Sequence, residues 1–229
     1  MSAVGSTLNS DRVQTVLAQL REIGEREDGP AKLKVRTREA ELGTRLYGHE
    51  RATLGMNASL AITPEVGQLL YALTLAARPT TVIIEFGASL GSSTIYLASA
   101  LRDLGAGSII TTELLSEKAQ QASSNLAAAG LGDLVDIRVG DALESLADLD
   151  VGVDLLFLDG SNDLYLPVLE LVEPCLSPRA LVIADMSHGD PPHNRYRDYV
   201  TDPARPYVTT EIPLDAGLVI STRVQTRAM

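Results

Sequence analysis

From Thr63 to Ala184 the chain alternates helical segments with short strand-like runs, and few arrangements can satisfy that alternation. Residues 82–86, 108–113, 135–139, 154–158 and 181–184 are too short for helices, and the most apolar of them suit a strand covered on both faces. Residues 91–104 and 116–129 read as helices, the second stopped by Gly130 as a left-handed terminator. An earlier helix opens at Thr63-Pro64-Glu65, with Thr63 as N-cap and Pro64 at the first helical position. Residues 207–212 and 217–222 follow as two strands joined by a Pro-Leu-Asp-Ala link, which predicts antiparallel neighbours. Five βα alternations closed by a hairpin predict an α/β fold: an open, doubly wound sheet of about seven strands with helices on both faces.

Residues 11–50 stand apart. Val13, Leu17, Leu20 and Ile23 recur at helical spacing behind Ser10 or Asp11 as a cap. Asp28-Gly29-Pro30 then predicts a break, followed by a charged, loosely helical stretch to Tyr47. The division expected is a helical arm or lid over residues 1–55 and one domain over 56–229. The arm would cover an edge of its own domain, close over a site, or pair two copies into a homodimer.

Charge narrows the partners. The chain carries a formal net charge of −11. Residues 1–51 are nearly balanced, nine basic against eight acidic, so residues 52–229 hold ten against 22, a net −12. A body that acidic repels phosphate backbones and anionic membranes, so neither nucleic acid nor a membrane is expected as a partner. The single cysteine, Cys175, precludes an internal disulfide and points to a reducing compartment. Residues 1–10 lack the basic and apolar regions of a secretory signal, and no apolar run approaches a membrane span. The expectation is a cytoplasmic protein.

In a doubly wound sheet, ligands bind beyond the carboxyl ends of the strands. The first strand runs into Glu85-Phe86-Gly87-Ala88-Ser89-Leu90-Gly91-Ser92-Ser93. Its glycines are spaced G-x-x-x-G, which matches neither the dinucleotide fingerprint nor a phosphate loop and so opposes a nicotinamide-dependent oxidoreductase. An acid in this turn would suit a ligand bearing an ammonium group. The second strand ends in Glu113, 22 residues past Gly91, where an acid can accept from two ribose hydroxyls. The third is followed by Gly140-Asp141-Ala142, where an acid and adjacent backbone can meet an adenine edge. Each feature alone also suits an ordinary βα turn or helix cap. Together they describe S-adenosylmethionine.

With these residues the chain resembles the class I S-adenosylmethionine-dependent O-methyltransferases of the catechol and caffeoyl-coenzyme A type, over roughly residues 56–223. Met56-Asn57 and Thr63 to Leu70 are similar to the segment that helps enclose the cofactor in that family. Glu85, Gly87, Ala88, Gly91 and Ser93 fall in its first glycine motif, Glu113 at its ribose acid, and Asp141-Ala142 on its adenine side. Asp159, with Tyr165 after it, resembles its fourth-strand motif, and Asp185 its second metal acid. The resemblance implies a Rossmann-like fold and methyl transfer from S-adenosylmethionine to a hydroxyl of a small, aromatic acceptor. Asp159 would serve in catalysis, toward the cofactor and, with Asp185, toward Mg²⁺.

Three positions depart from that pattern. Met186 stands where the family has Asn, Asn162 where a Lys is common, and Ser92 where a Tyr precedes the motif serine. A thioether is a poor ligand for a hard cation, and an amide is no base near neutral pH. The departures count against Mg²⁺ and leave proton removal to Asp159 or His188. His188 reads equally as base, metal ligand or surface residue, and His193 as a surface residue. The contrasting reading is a non-catalytic module that binds S-adenosylmethionine and regulates a partner.

Overall fold

The computed structural model describes residues 5–76, 81–186 and 194–224. The chain enters through α1 (Asp11–Leu42), α2 (Gly48–Leu54) and α3 (Pro64–Leu75). The alternation follows as β1 (Val82–Phe86), α4 (Ser92–Leu104), β2 (Ser108–Glu113), α5 (Ser116–Ala129), β3 (Val135–Val139), α6 (Ala142–Ser145), β4 (Val153–Leu158), α7 (Tyr165–Val172) and β5 (Leu176–Asp185). After α8 (Arg195–Thr201), the strands β6 (Tyr207–Ile212) and β7 (Leu218–Arg223) close the sheet.

The seven strands lie in the order β3-β2-β1-β4-β5-β7-β6, with β1 to β5 parallel and β7 antiparallel to both β5 and β6. This is the expected doubly wound sheet with its closing hairpin. Alternate strand residues feed two cores. Ile83, Ile109, Leu155 and Ile183 pack with α3, α4, α5 and the start of α1, while Ile84, Leu156, Val182 and Val219 pack with α7 and α8. Each such fully buried side chain contributes about 1.5–3 kcal/mol over its exposed state. Two helical layers thus fix the carboxyl edge of the strands in place.

Thr63 caps α3 as expected, its side chain accepting from Val66 N, and Gly130 ends α5 with φ +77°. Two expectations fail. Asp28-Gly29-Pro30 does not break the first helix, which runs through it for 32 residues with Pro30 inside. An interior proline costs about 3 kcal/mol or more. Here the buried stripe of Val13, Val16, Leu17 and Leu20 resumes at Ala31 and Val35, so packing outweighs the lost hydrogen bond. The fifth strand also begins earlier than its apolar run, at Leu176, which pairs with Val153. The pairing shifts register before Leu155–Leu181, and Arg179 lies between at φ +69°, so a bulge hides the strand's start from its hydropathy.

Candidate active site

The order of connection reverses between β1 and β4, and the loops after these strands meet at the carboxyl edge. Gly87 makes the meeting close. Its φ is +101°, and a Cβ there would lie 2.8 Å from the Asp159 carbonyl oxygen. Gly87 N and Ala88 N both donate to Thr112 O, and Asp159 N donates to Phe86 O. The β1 loop is therefore wedged between the ends of β2 and β4. Gly91, at φ +90°, starts α4.

Glu85 lies beneath this loop. Its carboxylate is fully buried and accepts from Ser93 Oγ at 2.6 Å, Thr94 Oγ1 at 2.5 Å and Thr111 Oγ1 at 2.6 Å. Burial pushes its pKa up, and the three hydroxyl donors oppose that. These bonds tie the end of β1 to the start of α4 and to β2.

Glu113 closes the second strand. One carboxylate oxygen accepts from Ser89 N and the other from Leu115 N, each at 2.9 Å. Burial raises its pKa, opposed by the Leu115 N–H, the Lys118 ammonium and the Ser89 N–H. The backbone donors Ser89, Leu114 and Leu115 still leave the carboxylate acceptor capacity for a further hydroxyl. Gly140 N donates to Glu113 O, which brings the end of β3 alongside. There Asp141 caps α6 by accepting from Leu143 N at 2.8 Å, with Ala142 buried behind it. The segment before α3 reaches the same place, since Ser89 Oγ donates to Ser59 O at 2.8 Å. Ser59 Oγ and Thr112 Oγ1 are buried hydroxyls with no hydrogen-bond partner among the described residues.

A second cluster lies at the ends of β4 and β5. The register Leu158–Ala184 sets Asp159 and Asp185 side by side at the edge. Desolvation raises the Asp159 carboxyl well above the carboxylate range, helped by the negative charges of Asp185, Glu85 and Asp215. Asp185 is pushed up to about 7, first by desolvation and then by Asp215. Each carboxylate disfavours ionisation of the other, so the two titrate as a pair.

Among the described residues the donor set around this pair does not fit Mg²⁺. Met186, in the place of a neutral oxygen ligand, is 3% exposed and packed into the apolar cluster with Phe86 and Tyr165. Among the described residues no three His, Cys, Asp or Glu side chains converge as a metal site. A hard cation needs several oxygen donors around it. Asn162 opens a short 3₁₀ turn, Asn162–Leu164, beyond Asp159. His188 and His193 lie outside the described residues.

Three residues of this edge were not singled out for a role by sequence reasoning: Ser89, Asp215 and Lys118. Ser89 and Asp215 adopt positive φ, +48° and +52°, a conformation that serine as a residue type does not announce. Lys118 did leave a signal. It shares the buried stripe of α5 with Ala122 and Leu126, and a lysine on an apolar stripe requires a polar reason.

A family model described as a methyltransferase domain matches residues 84–186. Catechol O-methyltransferase of Niastella koreensis is 32% identical over 138 residues, covering 58% of this chain and 61% of that one. The Mycobacterium tuberculosis catechol O-methyltransferase is 36% identical over 106 residues, 45% of this chain and 46% of the relative. The chain therefore spans less than two thirds of the length of these curated relatives. Among solved structures, the O-methyltransferase TomG from Streptomyces achromogenes, in complex with S-adenosylmethionine, superposes with a TM-score of 0.64 at 24% identity, covering 85% of this chain and 90% of that one. The Bacillus cereus O-methyltransferase in complex with S-adenosylhomocysteine gives 0.61 at 20% identity, over 89% and 99%. At these identities the structural likeness is one of fold.

Proposed function

We propose that this chain is a class I S-adenosylmethionine-dependent O-methyltransferase that methylates a hydroxyl of a small aromatic acceptor, a reading supported by the methyltransferase-domain match and the catechol O-methyltransferase relatives. The observation that carries the reading is the position of Glu113, the Gly87 loop and the Asp159–Asp185 pair at the carboxyl ends of adjacent strands around the switch point of the sheet. When bound, S-adenosylmethionine supplies a sulfonium methyl that passes in line to the acceptor oxygen, forming the O–C bond as the S–C bond breaks. Glu113 accepts from the ribose hydroxyls, and Asp141 with Ala142 borders the adenine. Gly87, Ala88 and Gly91 shape the loop along the methionine part, braced by Glu85 and Ser93, with Thr63 holding the start of α3 near it. The Asp159–Asp185 pair takes the acceptor's proton, a role in which a carboxyl pushed up to about 7, as Asp185 is, is effective.

Calorimetric titration with S-adenosylhomocysteine tests the cofactor half. Binding is expected, with Glu113→Ala weakening it by about 1–3 kcal/mol through loss of charge-assisted hydrogen bonds. Binding of NADH in place of either adenosyl compound would sink the assignment. Binding with no transfer to any of a panel of phenols and catechols would favour the regulatory module instead.

The arm serves a second copy of the chain in this reading. Its first half belongs to the core, but Leu33, Leu42 and Tyr47 are exposed at the far end. Residues 31–51 carry six Lys or Arg against three acids, opposite in sign to the acidic body. Truncation would strip Val13, Val16, Leu17 and Leu20 from the core, so charge substitution is the cleaner probe. Light scattering should give a dimer for the unaltered protein and a monomer for Leu33→Glu/Leu42→Glu. A monomeric unaltered protein ends the idea.

No helix among the described residues is long and apolar enough to cross a membrane.

A further inference from the structure

Lys118 is a lysine almost removed from solvent, 4% exposed, on the inward stripe of α5. Burying an ammonium is costly unless it is hydrogen-bonded and faces negative charge. Its Nζ donates to Ser89 Oγ at 3.0 Å. That hydroxyl donates onward to Ser59 O, while Ser89 N donates to Glu113 Oε2. Ser89 holds φ at +48°, a conformation that costs a non-glycine residue about 1–3 kcal/mol unless its surroundings impose it. The neighbouring crossing segment is strained in the same way at Leu60, φ +47°, whose N–H donates to Asp28 Oδ1 on α1 at 3.1 Å. One ammonium thus stands where the β1 loop, the segment before α3, the arm helix and the ribose acid come together.

We propose that Lys118 is a positioning residue for the cofactor: its buried ammonium fixes Ser89, and through Ser89 the Glu113 carboxylate, in the arrangement that receives the ribose hydroxyls. The inference rests on the cofactor reading given above and adds to it a residue that touches neither substrate nor reacting atoms. Two charged groups act on Lys118, Glu113 from β2 and Asp28 from α1. Burial pulls the lysine pKa down and pushes the Glu113 pKa up, and the mutual attraction of the two charges opposes both shifts. Removing the cation leaves Glu113 with desolvation and only the backbone N–H groups of Ser89, Leu114 and Leu115 to balance it. The carboxylate then takes up a proton at higher pH, and a protonated acid accepts fewer hydroxyl donors.

The experiment is calorimetric titration of full-length protein with S-adenosylhomocysteine between pH 5.5 and 9, for unaltered protein, Lys118→Met, Lys118→Arg and Ser89→Ala. Thermal unfolding reports on folding in each case. Lys118→Met should weaken binding about tenfold at neutral pH, a factor equal to one unit of differential ionisation. Its loss should grow toward acid pH and shrink toward pH 9. Lys118→Arg keeps the charge and should restore the unaltered pH profile. Ser89→Ala removes the hydroxyl but leaves the ammonium, so affinity should fall with the pH profile unmoved; it decides the matter if Lys118→Met does not fold. Unaltered affinity and pH profile in Lys118→Met, or in its absence unaltered affinity in Ser89→Ala, overturns the proposal while leaving the cofactor reading intact. An unaltered protein that binds no S-adenosylhomocysteine at any pH overturns the cofactor reading and this proposal with it.

Discussion

An Asp185→Asn protein should turn over about 10²–10⁴-fold more slowly than the unaltered chain, the range by which a positioned proton acceptor contributes. Asparagine keeps the shape of the side chain at the end of β5 and removes its capacity to take a proton. The direction of the pH dependence follows from the raised carboxyl. The acceptor form is the deprotonated one, so turnover should climb as pH rises through about 7, where Asp185 titrates, and flatten above it. In Asp185→Asn that rising limb should weaken or move, because Asp159 loses the neighbouring negative charge that helps hold its pKa up. A chelator should leave unaltered activity nearly intact, since Met186 is turned into the apolar cluster where a third oxygen ligand would be needed. Initial rates with labelled S-adenosylmethionine across pH, with and without chelator, check each point. Full turnover in Asp185→Asn would remove the carboxyl pair from the chemistry. Collapse of activity in chelator would show that the donor set has been misjudged.

Gly87→Ala should be strongly damaging to this edge. The new Cβ would sit 2.8 Å from the Asp159 carbonyl oxygen and 2.9 Å from Gly160 Cα, and both are backbone atoms that no rotamer change can move. Positive φ adds strain to the clash, so a destabilisation of about 2–6 kcal/mol is expected. Because the collision pushes the end of β4 away from β1, Asp159 is displaced and turnover should fall even in the protein that remains folded. Gly91→Ala is the matched control. It carries a similar φ of +90°, but its Cβ would meet Ala122 at an ordinary 3.5 Å. It should therefore cost only the left-handed strain, about 1–2 kcal/mol. Chemical unfolding of the two variants side by side measures the difference. Equal losses would mean that the β1–β4 approach is looser than the geometry implies.

Most of the sheet was legible because its signals are local. Residues 82–86, 108–113 and 135–139 match the observed strands, and Thr63 and Gly130 begin and end helices by capping chemistry that needs no tertiary partner. The helix through Pro30 was not legible for the converse reason. A proline's local cost can be read from sequence, but the burial of Ala31 and Val35 that offsets it depends on what lies opposite the helix. The start of β5 was hidden in the same way, since a bulge around Arg179 is a property of two paired strands.

The candidate site divides along the same line. Sequence by itself determined which residues stand at the strand ends, Gly87, Glu113, Asp141, Asp159 and Asp185, because strand and turn signals number those positions directly. Only the tertiary structure decided what each one faces. It turned Glu85 under the loop onto three hydroxyls, set Asp185 beside Asp159 with Asp215 acting on both, and buried Lys118 against Ser89. Those contacts join residues up to several dozen positions apart in the chain, and a pKa or a hydrogen bond is fixed by the neighbours in space. A pattern in one dimension carries the identity of a group at the edge of a sheet, and the packing of the helices around it fixes its charge.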